Sequence, residues 1–192
     1  MVGYLDITVG PMFSGKTKKL IQTYLRYEDR NIVAINHSLD MRYMDDAICS
    51  HDLDFIPSLM IDNIHDLWFD KNHVYHDMME RCTHVLINEA QFFDNLCEVV
   101  LSMVKCGKKV FVFGLDGDFK QQKFGEILDL IPYCDSVEKL QGFCNYCDNR
   151  SMFTKRLENS DKQVLVGNDN YVPVCRKCFE SETDMMEIAS VD

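Results

Sequence analysis

The apolar residues of this chain fall into short runs separated by stretches of helical periodicity, an alternation that predicts a parallel sheet covered on both faces. Tyr4 to Val9 alternates and is rich in strand formers, so it reads as the first strand. From Thr17 to Arg30, Leu20, Ile21, Tyr24, Leu25 and Tyr27 recur at near-helical spacing and predict the first helix. Ile32 to Ile35, Thr83 to Asn88 and Val110 to Phe113 read as three further buried strands. Glu98 to Val104 predicts a helix between the last two, ended by Cys106-Gly107-Lys108. Between His37 and Arg81 the pattern is poor and supports two short helices at most, around Ile64 to Phe69 and Tyr75 to Arg81. Ser136 to Leu140 predicts a last strand. In an α/β sheet of this kind, ligands bind at the carboxyl ends of the strands.

Composition narrows the picture. A length of 192 residues allows one main domain and a small satellite, and 46% hydrophobic with 27% charged residues is globular composition. No apolar stretch reaches the length needed to span a bilayer. Near Gly142 the sequence changes to cysteine-bearing turns, so the expected organisation is an α/β domain over 1–141, a small lobe over 142–180 and an acidic, solvated or disordered tail over 181–192. The net charge of −11 argues against a surface that coats nucleic acid but is compatible with a small anion held in a local nest. The N-terminus carries no basic and long apolar leader pattern, which leads us to expect a cytoplasmic protein whose nine cysteines are reduced thiols or metal ligands.

Three clusters carry chemistry. Gly10-Pro11-Met12-Phe13-Ser14-Gly15-Lys16-Thr17 follows a strand and opens a helix, as the phosphate-binding template G-x-x-x-x-G-K-[ST] requires, and points to a nucleoside triphosphate. Backbone N–H groups would cradle the phosphates, Lys16 neutralise them, and Thr17 offer a hydroxyl to Mg²⁺. Cys144-x-x-Cys147 and Cys175-x-x-Cys178 supply four thiolates for a tetrahedral, closed and therefore structural Zn²⁺ site. The other cysteines, Cys49, Cys82, Cys97, Cys106 and Cys134, read as small buried hydrophobes. At the end of the Val85-Leu86-Ile87 strand, where P-loop proteins place an acid for Mg²⁺, stands the neutral Asn88; Glu89 beside it is the carboxylate available as a general base. Gln91-Phe92-Phe93 and Leu115 to Phe119 would bring aromatics to the same end of the sheet, where rings can sandwich a flat base.

Taken with Asp40-Met41-Arg42-Tyr43, Ser50-His51-Asp52, Thr154-Lys155-Arg156 and Tyr171-Val172-Pro173-Val174, these motifs resemble the thymidine kinases of the cellular cytosolic and poxvirus type, from about residue 4 to residue 179. The resemblance implies a RecA-like P-loop domain with a zinc-ribbon lobe, and transfer of the γ-phosphoryl group of ATP to the 5′-hydroxyl of thymidine. It implies catalytic roles for Glu89, Lys16 and Arg42, with Gly10 to Thr17, Asp40 and Asn88 around ATP and Mg²⁺. Met12, Gln91, Phe92, Leu115, Phe119, Thr154, Val164, Val166, Gly167 and Tyr171 match residues around the nucleoside, the last several on a lasso loop between the two cysteine pairs. It further implies a homotetramer inhibited by dTTP. The chain departs from the family at Asn88, normally Asp, for which the expectation is weaker Mg²⁺ binding with activity retained. It also has Val166-Gly167 where Gly-Gly is usual, and Lys123 where proline is common. Two other classes fit the motifs in part: a P-loop ATPase or nucleotide switch with a structural zinc ribbon, and a non-enzymatic zinc-ribbon adaptor. Thymidine-dependent ATP consumption separates the first of these from a kinase, and loss of ATP affinity in Lys16→Ala argues against the second.

Overall fold

A computed structural model describes residues 2–28, 30–40, 47–50, 53–158, 163 and 170–181. Twelve strands are described: β1 (Tyr4–Val9), β2 (Ile32–His37), β3 (Ala47–Cys49), β4 (Phe55–Pro57), β5 (Leu59–Ile61), β6 (His84–Ile87), β7 (Lys109–Gly114), β8 (Ser136–Lys139), β9 (Gly142–Phe143), β10 (Arg150–Ser151), β11 (Phe153–Arg156) and β12 (Tyr171–Val174). The helices are α1 (Lys16–Arg26), α2 (Ile64–Phe69), α3 (His76–Arg81), α4 (Leu96–Lys105) and α5 (Arg176–Glu180), with 3₁₀ turns at Ala90–Phe92 and Ile127–Tyr133.

Six strands form one sheet in the order β5-β2-β6-β7-β1-β8, and every pairing in it is parallel. Its two faces are sorted by strand alternation. Leu5, Ile7, Val9, Val33, Ile35, Val85, Ile87, Val110 and Val112 point to one side, where α2, α4 and the 127–133 turn cover them with residues such as Leu67, Val99, Met103 and Leu130. Ala34, Leu86, Phe111 and Phe113 point to the other and meet Leu20 and Ile21 of α1 and Ile48 and Ile56 of the β3–β4 hairpin. Beyond the sheet, β9–β10 and β11–β12 are two short antiparallel pairs.

The predicted strands and helices are present, with edges shifted by local chemistry. The first helix ends at Arg26, because Tyr27 leaves the helical region with φ −116° and turns its ring onto His84 and Phe111. The helix expected at Glu98 starts at Leu96, and Gly107 ends it at φ 82° with its N–H bonded to Val104 O, a left-handed cap that glycine adopts without strain. In the poorly patterned region, both short helices form, and three strands lie there as well. β3, β4 and β5 are three residues each, too short for alternation to register; β5 still extends the parallel sheet by pairing Ile35, Asn36 and His37 with Leu59, Met60 and Ile61. Of the five remaining cysteines only Cys82 is fully buried, Cys49, Cys97 and Cys134 are half-buried, and Cys106 is exposed at the end of α4.

His84 opens β6 with its ring stacked on Tyr27 and Phe111. Burial holds its pKa below the ordinary value, and the charges of Lys109 and Arg30 push the same way. The unfolded chain therefore binds the proton more readily. The stabilisation is present above the unfolded value of about 6.5 and is lost progressively as pH falls below it through the lower pKa of the folded state. His37, also lowered by burial, acts in the same direction. The urea midpoint should thus fall between pH 7.5 and pH 5.5, and His84→Phe, which keeps the stack but cannot titrate, should show a shallower fall in equilibrium unfolding.

Candidate functional site

The chain leaves β1 into Gly10, whose φ of 152° and surroundings exclude a side chain: a Cβ there would lie 2.7 Å from Leu140 O and 2.9 Å from Ser14 Oγ. The loop closes at Gly15 (φ 85°), the residue before α1. Gly15 is the N-cap and has no side chain to cap the helix, so the first turn of α1 presents its N-terminal end, with the positive end of the helix dipole, to the loop. Lys16, 9% exposed, folds back across the loop and donates to Gly10 O at 3.1 Å and Pro11 O at 2.7 Å. Its ammonium is thereby held over the nest.

Two strands away, β6 is followed by Asn88 and Glu89. Both β1 and β6 pair with β7 in parallel, so the carboxyl ends of the two lie roughly 10 Å apart across it. Glu89 takes a left-handed conformation (φ 48°) and is 9% exposed; its Oε2 accepts a 2.7 Å hydrogen bond from Gln91 Nε2. Gln91 is fixed in turn, because its Oε1 accepts from the backbone N–H of Leu115 at 2.9 Å, at the end of β7. A Cβ on Gly114 would sit 2.6 Å from that Oε1, and one on Gly125 (φ 62°) 2.3 Å from Gln91 O. Gln91 thus ties the β6 turn to the β7 turn through a space that only glycines leave open.

The β11–β12 pair connects to the phosphate loop. Thr154 of β11 is buried, and its Oγ1 accepts from the backbone N–H of Met12 at 3.0 Å, joining the cysteine-bearing part directly to the phosphate loop. Two residues on, Arg156 is 8% exposed and lies 3.6 Å from the centroid of Phe119, while its Nη2 donates to Tyr171 Oη at 2.6 Å and to Gln163 O at 2.9 Å. Gln163 Nε2 donates to Asp118 at 2.9 Å, and Lys139 pairs with Asp116 at 2.6 Å. The ring of Phe119 therefore presents a face to a guanidinium. Phe92 packs edge-on against Phe124 at 5.5 Å and tilted against His37 at 5.7 Å.

Behind Glu89 runs a chain of amides. Asn88 Nδ2 donates to Asn36 Oδ1 at 2.9 Å, and Asn36 Nδ2 donates to Asp40 Oδ2 at 3.1 Å. His37 Nδ1 accepts from Leu39 N at 3.0 Å, so the neutral ring carries its proton on Nε2. Burial lowers the pKa of His37 against the opposing pull of Asp62, Asp94, Asp40 and Glu89.

The Sγ atoms of Cys144, Cys147, Cys175 and Cys178 all lie within 4.8 Å of one another, with Cys147 to Cys175 at 3.7 Å and Cys147 to Cys178 at 3.6 Å. A tetrahedron with metal–sulfur bonds of ~2.3 Å has edges of about 3.8 Å, so the cluster is shaped for a metal ion such as zinc. Around it, among the described residues, Val174 is the one fully buried aliphatic, supported by Phe153, Val172 and Phe179.

Of the residues singled out in the sequence, Gly10 to Thr17, Asp40, Asn88, Glu89, Gln91, Phe92, Leu115, Phe119, Thr154, Tyr171 and the four cysteines lie on these connected elements. Arg42, Val164, Val166 and Gly167 lie outside the described residues, as does the tail from 182. Asn36 and the stacking role of Arg156 escaped the motifs. Asn36 falls just past the strand expected over Ile32 to Ile35, and the pairing of Ile35 with Ile87 is what places it next to Asn88.

Replacing Thr154 by valine keeps the shape and removes the acceptor from Met12 N–H. The expected cost is about 1–3 kcal/mol in urea unfolding together with weaker nucleotide binding by titration calorimetry. Unchanged values for both would mean that the contact does not brace the loop.

Residues 3–179 match the family model described as thymidine kinase. The chain is 37% identical over 188 residues to the thymidine kinase of Choristoneura fumiferana entomopoxvirus, covering 91% of this chain and 95% of that one. It is 37% identical to the thymidine kinase of Oryza sativa subsp. japonica, over 92% of this chain and 66% of the plant protein. With the thymidine kinase of Rabbit fibroma virus (strain Kasza) it shares 32% identity, over 92% of this chain and 96% of that one. With the loop, the carboxylate and the four-sulfur cluster in place, the match across nearly all of the folded chain means that this protein belongs to the thymidine kinase family.

Proposed function

We propose that this chain transfers the γ-phosphoryl group of ATP to the 5′-hydroxyl of thymidine, giving ADP and thymidine 5′-monophosphate. The observation that carries this reading is the series of contacts and short chain segments linking the phosphate loop through Thr154, Arg156, Phe119 and Leu115 to Gln91 and Glu89, with the phosphate loop and the carboxylate at the same edge of the sheet. In this reading the loop amides, Lys16 and Arg42 hold the phosphates and offset charge that spreads over the transferring group. Glu89, oriented by Gln91, accepts the proton of the attacking hydroxyl. In the same reading Met12, Gln91, Phe92, Leu115, Phe119, Thr154 and Tyr171 serve the nucleoside, as do Val164, Val166 and Gly167.

Magnesium is a hard cation that takes oxygen ligands and keeps several waters. The residues present suit it: Thr17 offers a hydroxyl, and the buried Asn88 Oδ1 accepts no hydrogen bond among the described residues. Held by Thr17 and, through a water, by Asn88, the ion would offset negative charge on the phosphates. Zinc suits the four sulfurs and would hold together a lobe whose own apolar core is very small. Nine free thiols, four of them gathered as ligands, suit a reducing compartment, and we place the chain in the cytoplasm. The division into a P-loop domain to residue 141, a zinc lobe to 180 and an acidic tail belongs to the same proposal, as do a homotetramer and inhibition by dTTP.

The deciding experiment is a panel of nucleosides offered as phosphate acceptors with ATP and magnesium. Thymidine should drive stoichiometric ADP formation, and ATP turnover independent of any nucleoside would overturn the reading. Glu89→Gln should lower kcat by about 10²–10⁴-fold while thymidine still binds, because only proton acceptance is removed. Near-normal turnover in that variant ends the general-base assignment. Stripping the metal with a chelator should raise the KM for thymidine before it alters nucleotide binding, and an unchanged KM would sever the cysteine cluster from the nucleoside site.

A further inference from the structure

Asn36 and Asn88 occupy adjacent parallel strands in the position that follows the pair Ile35–Ile87. By alternation their side chains share the face of Ala34 and Leu86, which is the face covered by α1, the helix that the phosphate loop opens. Both are buried, at 1% and 2% exposure. An amide can point either its oxygen or its nitrogen at a neighbour, and the difference decides whether a buried site offers an acceptor or a donor. Here the choice is made by Asp40. Its carboxylate only accepts, so Asn36 must donate from Nδ2 and turn Oδ1 toward Asn88; Asn88 must then donate from its own Nδ2, which leaves Oδ1 as its outward acceptor.

We propose that Asn36 is a positioning residue for the magnesium of the nucleotide, setting Asn88 so that it presents an oxygen, and not an NH₂ group, to a water of the ion. Asp40, Asn36 and Asn88 act as one unit in which a charge two hydrogen bonds away imposes an oxygen on the end of β6 without placing a second carboxylate there. The inference rests on the kinase reading only for the identity of the nucleotide.

The test needs no turnover. ADP binding is measured calorimetrically with and without magnesium chloride, and the gain in affinity that magnesium brings is compared between variants. Asn36→Leu, which is close in volume but cannot hold the amide, should cut that gain about tenfold, as loss of an outer-shell partner typically does, and leave the affinity for ADP alone unchanged. In an Asn88→Leu background the same substitution should cost nothing further, since the group it orients is gone. Asn36→Ser carries the same expectations should the leucine variant fail to fold. An undiminished magnesium gain, an equal loss with and without magnesium, or additive losses in the double variant would each overturn the proposal. Failure of the wild-type protein to phosphorylate thymidine would overturn the function and leave this measurement intact.

Discussion

The site depends on the parallel pairing of β6, β7 and β1. A parallel strand must be followed by a crossover, so each of these strands ends at the same edge and each turn leaves from it. The phosphate loop, the Asn88–Glu89 corner and the turn after Gly114 are consequently neighbours before any side chain is considered. Side chains then exploit that proximity. Gln91 bonds to the β6 and β7 turns at once, and the absence of a Cβ leaves room at position 114 for its side-chain amide and at position 125 for its backbone.

The small lobe is joined to this edge by a few directional bonds instead of a broad apolar face. Thr154 meets the phosphate loop, Arg156 meets Phe119, and Gln163 meets Asp118. Such contacts fix orientation at little cost in buried area. Four sulfurs drawn into one cluster compensate for a core of a few residues.

Much of this was legible in the residues. The apolar runs at Val33, Val85 and Val110 are long enough for their burial on both faces to show, and the loop and cysteine motifs constrain backbone and ligand geometry so tightly that spacing alone points to them. Three-residue strands leave no such trace: Leu59-Met60-Ile61 joins the sheet because β2 offers a free edge, a fact of tertiary assembly. Asn36 was equally silent, since its role depends on register with a strand some fifty positions later. Nor does composition reveal that Phe119 faces a guanidinium, because Arg156 reaches it from a different sheet.

The uncharged pair at the ends of β2 and β6 has a consequence for acid tolerance. An amide neither gains nor loses a proton under physiological conditions, so the pair adds no titrating group of its own. Two carboxylates in those places would titrate together and repel one another when ionised. The direction of the amide bonds is instead inherited from the single carboxylate of Asp40 at the end of the relay.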